Sequence, residues 1–104
     1  MADIVVRLRI VGKVQAVGYR MWCVSTATRL KLRGWVRNLK DGTVEAVVCG
    51  SQAAVNSMIT ACQTGPRHAD VSEVHFSALD PSDLHYREVP AGFEQRPDAV
   101  LGAP

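Results

Sequence analysis

The strongest constraint on the fold is a short hairpin signal near the middle of the chain. Arg33 to Leu39 and Thr43 to Cys49 alternate like half-buried strands, and Lys40-Asp41-Gly42 joins them. An Asp-Gly pair between two such runs closes a hairpin, so these strands are antiparallel neighbours. Upstream, Ile4 to Val11 has the same two-residue period, with Val6, Leu8 and Ile10 on one side and Arg7 and Arg9 on the other. Between that strand and the hairpin, from Tyr19 to Leu32, Cys23, Ala27 and Leu30 recur at helical spacing, and Arg20 extends their stripe into the first turn. After the hairpin comes a second helix, with Ser51 as its N-cap, Val55, Met58, Ile59 and Cys62 as its buried stripe, and Gly65-Pro66 as its stop. Asp70 to Leu79 alternates again, Asp80 to Ala91 is polar with two prolines and reads as a loop, and Phe93 to Arg96 forms a short last strand.

The order βαββαβ with a short fifth strand predicts an α+β ferredoxin-like sandwich, two helices on one face of a mainly antiparallel sheet. A chain of 104 residues accommodates one such unit. Residues 1–97 are expected to form the domain, and residues 98–104 a C-terminal tail with little to anchor it. The fold class hosts enzymes, binders and carriers alike, so function has to come from a site.

Composition narrows the choice of ligand. A net charge of +2 is too mild for a nucleic-acid footprint, and any bound anion should be small. Cys23, Cys49 and Cys62 are odd in number and match neither a disulfide framework nor a zinc spacing, so they read as reduced, buried thiols. The first residues lack the apolar core of a signal peptide, and no apolar run approaches the ~20 residues of a spanning helix. A cytoplasmic location without membrane contact is the expectation.

The chemistry concentrates in Gly12-Lys13-Val14-Gln15-Ala16-Val17-Gly18-Tyr19-Arg20, which links the end of a strand to the start of a helix. Such a turn presents several free backbone N–H groups in one direction, backed by the positive end of the helix dipole, and suits a tetrahedral anion. Arg20 adds a planar fork of donors for two phosphate oxygens. The bland alternative is a helix-entry loop with a solvated arginine. Asn38 shares a strand face with Gly34 and Val36, where its amide needs partners; capping the hairpin is its ordinary role.

The two stretches together resemble the acylphosphatase family, over about nine tenths of the chain, from Ile4 to roughly Arg96. Gly12 to Arg20 is similar to the family's Gly-x-Val-Gln-Gly-Val-x-Phe-Arg loop, and Gly34 to Glu45 to its Gly-aromatic-Val-x-Asn hairpin ending in Gly-x-Val-Glu. Phe93-Glu94-Gln95-Arg96 is similar to its closing strand. The resemblance implies that Arg20 binds the phosphoryl group, that Asn38 positions the attacking water, and that the backbone N–H groups of Gln15, Ala16, Val17, Gly18, Tyr19 and Arg20 form the cradle. Ala16 and Lys31 depart from the pattern, standing where glycine is usual; a positive φ there would cost the side chain of order 1 kcal/mol.

The residues also restrict the reaction. No cluster of His, Cys, Asp and Glu suggests a metal, and no nucleophile has an adjacent base. An amide is a negligible base, so Asn38 can only orient a water. Without a general acid, alkoxide leaving groups would depart poorly, whereas a carboxylate with a pKa of about 4 to 5 needs no proton. Metal- and cofactor-independent hydrolysis of acyl phosphates, by a monomer acting on a small molecule, is the expected function.

Other residues read as structural. His68, His75 and His85 are scattered, Trp22 and Trp35 read as packing, and Arg7, Arg9, Arg33 and Arg37 as a solvated sheet face. The competing reading is a non-catalytic anion-binding or regulatory module of the same fold. An RNA-binding version would expose aromatics on the central strands, where the first strand carries Arg and Val instead. An acylphosphatase-like domain acting on carbamoyl phosphate would be expected in a much longer chain.

Overall fold

The computed structural model of the chain describes residues 3–99. Its elements follow the order β1(Ile4–Lys13), α1(Tyr19–Arg29), β2(Arg33–Asn38), β3(Val44–Gly50), α2(Gln52–Cys62), β4(Asp70–Ala78), α3(Leu84–Arg87) and β5(Phe93–Gln95). The strands form one five-stranded sheet in the order β4-β1-β3-β2-β5. β1 pairs antiparallel with β3 and β4, β2 pairs antiparallel with β3, and β5 joins β2 in parallel. This is the predicted α+β sandwich.

The alternation in β1 sends Val6, Leu8 and Ile10 to the helix-covered side, where they pack with Val36, Val44, Ala46 and Val48 and with Cys23, Ala27, Val55, Met58 and Cys62 from the helices. Burying that many branched side chains, at about 1.5 to 3 kcal/mol each, is the main drive for the fold. The opposite face is less open than expected. Val5, Trp35, Val47 and Cys49 form a second, smaller core, roofed by Leu79, Tyr86 and Val89. The roof is the polar segment 80–91, expected as a plain loop, which winds one helical turn as α3 because Asp83 accepts a hydrogen bond from His85 N–H at 2.8 Å.

On this face the arginines are not simply solvated. Glu45 is buried at 3% exposure and holds two of them, Arg37 Nε at 2.7 Å and Arg7 Nε at 2.5 Å. Both of its oxygens are paired with guanidinium groups, which offsets the cost of burying a carboxylate at that depth. Trp35, fully buried, lies beneath the guanidinium groups of Arg37 and Arg96, at 4.9 and 4.8 Å.

Three ends fix where the loops go. At Gly12, with φ 133°, β1 slips register against β4, and a Cβ there would lie 2.2 Å from the Asp70 carbonyl oxygen. Only glycine fits this bulge, beyond which β1 pairs with β4 through Lys13 before the loop to α1. Helix α1 ends three residues earlier than the expected Leu32: Leu32 N–H bonds Ala27 C=O and Lys31 N–H bonds Thr28 C=O, a Schellman ending with Lys31 at φ 61°. In the β2–β3 turn, Asp41 accepts from Thr43 Oγ1 at 2.6 Å and from Thr43 N–H at 3.0 Å. Those bonds hold the Asp41 carboxyl below the usual carboxylate range. Their stabilisation is present above the ordinary aspartate pKa and disappears as pH falls through the lowered one.

Candidate active site

The site forms where the loop after β1, the start of α1 and the end of β2 meet. Helix α1 begins at Tyr19 with Gly18 as N-cap at φ 80°, ψ 18°, and no side chain caps it. The first bond of the helix runs from Trp22 N–H to Gly18 C=O at 3.0 Å, so the N–H groups of Tyr19, Arg20 and Met21 have no carbonyl of the helix to bond. Gly18 itself is open on its outer side, where a Cβ would meet nothing within 4 Å. Ala16 sits at φ 60°, so the position where glycine was expected does require the left-handed region.

A cavity of about 150 Å³ opens at this helix end, lined by Val14, Ala16, Gly18, Tyr19, Arg20, Met21, Asn38 and Gln95. It brings Ala16, Gly18, Tyr19, Arg20 and Asn38 together, five of the residues expected at the site. Gln15 and Val17 are not among its walls. Val17 packs against the main core. Gln15 spends its side chain elsewhere: its Nε2 donates to the carbonyls of Leu39 at 2.7 Å and Thr43 at 2.9 Å. That pair of bonds ties the loop to the turn of the β2–β3 hairpin and sets the distance between the cradle and Asn38.

Asn38 ends β2 opposite Val44 and is only 8% exposed. It does not cap the hairpin. The turn is closed by Leu39 N–H to Thr43 C=O at 2.9 Å and by Asp41 on Thr43, and among the described residues the Asn38 amide makes no side-chain hydrogen bond. An amide on the wall of a small cavity, with no side-chain hydrogen bond among the described residues, is set up to bond something inside it.

Arg20 is partly buried, its side chain 26% exposed, and its Nη1 donates to Arg96 C=O at 3.1 Å and to Asp98 Oδ1 at 3.0 Å. The stripe that sequence spacing extended through Arg20 is instead Tyr19, Cys23, Thr26 and Ala27, and Arg20 turns from it toward the cavity. Tyr19 is fully buried, and its hydroxyl donates to Cys62 C=O at 2.7 Å, anchoring the start of α1 on the end of α2. Burial, reinforced by the neighbouring Cys62 and Cys23, pushes that hydroxyl well above its ordinary pKa and keeps it a neutral donor. Among the described residues no group of three or more His, Cys, Asp or Glu has the geometry to hold a metal ion.

A sequence model of the family described as Acylphosphatase matches residues 6–94. The chain belongs to the acylphosphatase family. It is 46% identical over 88 residues to an acylphosphatase of Rhodopseudomonas palustris, covering 85% of this chain and 89% of that one. An acylphosphatase of Rhodospirillum rubrum is 47% identical over 90 residues, covering 86% and 92%. Among solved structures, an acylphosphatase from Coxiella burnetii superposes with a TM-score of 0.81 at 30% identity, over 91% of this chain and 94% of that one. The resemblance carried by Gly12–Arg20 and Gly34–Glu45 therefore holds, and the protein is an enzyme of the acylphosphatase type, a hydrolase. Sequence reasoning missed the side-chain role of Gln15, the Tyr19 tether and Asp98, since each depends on a partner at least 24 positions away.

Proposed function

We propose that the cavity at the start of α1 hydrolyses acyl phosphates, with Arg20 and the backbone N–H groups of Gln15 to Arg20 holding the phosphoryl oxygens and Asn38 orienting the attacking water. The observation that carries this reading is Asn38, only 8% exposed and with no side-chain bond among the described residues, in the wall of the same small cavity as Arg20 and the uncapped helix end. In the reaction the water oxygen bonds to phosphorus while the bond from phosphorus to the acyl oxygen breaks. The electron pair leaves with the carboxylate, and the proton of the water passes to a phosphoryl oxygen, giving inorganic phosphate. No protein group has to ionise. The fixed donors stabilise charge spread over the phosphoryl oxygens, and Asn38 supplies position.

The test is benzoyl phosphate hydrolysis by wild type, Arg20→Ala and Asn38→Ala. Removing Arg20 is expected to lower kcat/KM by about a thousandfold, with loss of inhibition by inorganic phosphate. Removing Asn38 is expected to lower kcat by about a hundredfold with phosphate inhibition retained. Protein treated with a chelator should keep its full rate. Unchanged rates in both variants would point to an anion-binding module instead.

We assign residues 1–97 to the catalytic domain and 98–104 to a tail whose first two residues, Asp98 and Ala99, bond the site through Arg20 and the Asn38 carbonyl; residues 1–2 and 100–104 lie outside the described residues. The substrate is a small molecule and the working unit a monomer. A cytoplasmic location is supported by the three cysteines, all free and buried, of which Cys23 is pushed well above its ordinary pKa by contact with Cys62 and by burial. No helix among the described residues is long and apolar enough to cross a membrane.

A further inference from the structure

We infer that Asp98 is a positioning residue for Arg20, holding one edge of the guanidinium so that the other faces the substrate. The inference rests on the proposal that Arg20 and Asn38 form the phosphoryl site.

The backbone puts Asp98 in place. Beyond β5 the chain stays beside β2: Arg96 N–H bonds Val36 C=O at 2.8 Å and Ala99 N–H bonds Asn38 C=O at 2.9 Å. A regular parallel ladder advances two residues on each strand, which would put residue 98 opposite the Asn38 carbonyl. The bond falls on Ala99 instead, one residue late. The segment Pro97-Asp98 therefore carries one extra residue and bulges out of the ladder. The carboxylate carried by that bulge meets Arg20. The anchor is firm on its other side, where the Arg96 side chain stacks over Trp35 and bonds Glu94 at 3.0 Å.

Counting donors shows what the contact does. A guanidinium has five N–H groups, two of them on Nη1. Nη1 of Arg20 has two acceptors, Arg96 C=O and Asp98 Oδ1. That leaves Nε–H and the two protons of Nη2, the two-pronged edge that fits two phosphoryl oxygens. Asp98 is not among the residues that line the cavity, whereas Arg20 and Asn38 are. The carboxylate therefore braces the guanidinium from outside and does not fill the place of the phosphoryl group. An arginine held in this way does not have to be ordered as the transition state forms, and the gain falls on kcat.

The experiment compares kcat and KM on benzoyl phosphate for wild type, Asp98→Ala, Asp98→Asn, Asp98→Glu and Arg20→Ala, with a melting temperature for each. Asp98→Ala is expected to lower kcat about fivefold, as suits an ion pair with an exposed carboxylate, with KM within about twofold and the melting temperature unchanged. Asp98→Asn, which keeps the shape and an acceptor but not the charge, should fall between, and Asp98→Glu should recover most of the loss. If KM drops while kcat stays constant, Asp98 competes with substrate and the inference is wrong. It is equally wrong if Asp98→Ala matches wild type while Arg20→Ala is inactive, or if kcat and melting temperature fall together without recovery in the glutamate variant. An active Arg20→Ala would overturn the site reading and this inference with it.

Discussion

Helices α1 and α2 have the same length, eleven residues, the same side of the sheet and opposite treatment at their N-termini. At α2, Ser51 sits in extended backbone and its hydroxyl accepts the Ala54 N–H at 3.2 Å, the ordinary way to satisfy a free donor. At α1 the same place is taken by Gly18 in the left-handed region, with no side-chain cap. A missing cap costs a helix about 1 kcal/mol. Among the described residues the fold tolerates that cost at one helix only, the one whose bare end faces a cavity lined by Arg20 and Asn38. One helix end is finished for stability and the other is left unfinished for a ligand.

The sharpest way to break the contrast is to place a carboxylate at the bare end. Gly18→Asp has room, since a Cβ at this position meets nothing, and aspartate is among the residues that accept left-handed backbone. The variant should fold with a loss of about 1 kcal/mol. Its side chain would compete for the free N–H groups and repel the phosphoryl group, so kcat/KM should fall about a hundredfold or more. Gly18→Asn carries the same backbone cost without the charge and should retain clearly more activity. Equal kinetics for the two variants would mean that the helix end does not bind an anion.

The reciprocal change at α2 has a smaller effect and of the other kind. Ser51→Ala removes a cap that touches no part of the cavity. It should cost about 1 kcal/mol, seen as a melting temperature lower by about 4 °C, with kcat and KM unchanged. A change in activity of more than twofold would show that the two ends are coupled through the core.

The difference between the ends also explains what was legible in the sequence. Ser51 could be read as a cap because capping is local, a side chain bonding an N–H three residues on. The period-two runs and the Asp41-Gly42 turn are local as well, and they led to the right sheet. Arg20 and Asn38 were legible only through the loop and hairpin motifs around them, since spacing alone left a solvated arginine and a hairpin cap open. Gln15 looked like one more cradle residue because its bonds to Leu39 and Thr43 become visible only once the hairpin is folded over the loop. The burial of Glu45 between Arg7 and Arg37 depends on strand register and on the roof formed by residues 79–89, where a one-turn helix leaves too short a pattern to detect. Asp98 was placed in a frayed tail because nothing in its own sequence neighbourhood points to β2.

The smallest expected effect separates the two non-glycine residues in left-handed backbone among the described residues, Ala16 at φ 60° before α1 and Lys31 at φ 61° after it. Both stand where a glycine would relieve strain of about 1 to 2 kcal/mol, less the roughly 0.4 to 1 kcal/mol that glycine's freedom adds to the unfolded chain. Ala16→Gly and Lys31→Gly should therefore each stabilise the protein by about 0.5 kcal/mol, measured in denaturant at constant m. Their kinetics should part company. Lys31 lies in a Schellman ending far from the cavity, so its glycine variant should bind inorganic phosphate like wild type. Ala16 lines the cavity, and its Cβ narrows the backbone choices of the segment that carries the cradle N–H groups. Returning that freedom should weaken phosphate inhibition by about two- to threefold, because ordering lost in the free enzyme must be restored on binding. If both glycine variants kept wild-type phosphate affinity, the loop would be held by its Gln15 bonds alone, and Ala16 would be a cost in stability without a return at the site.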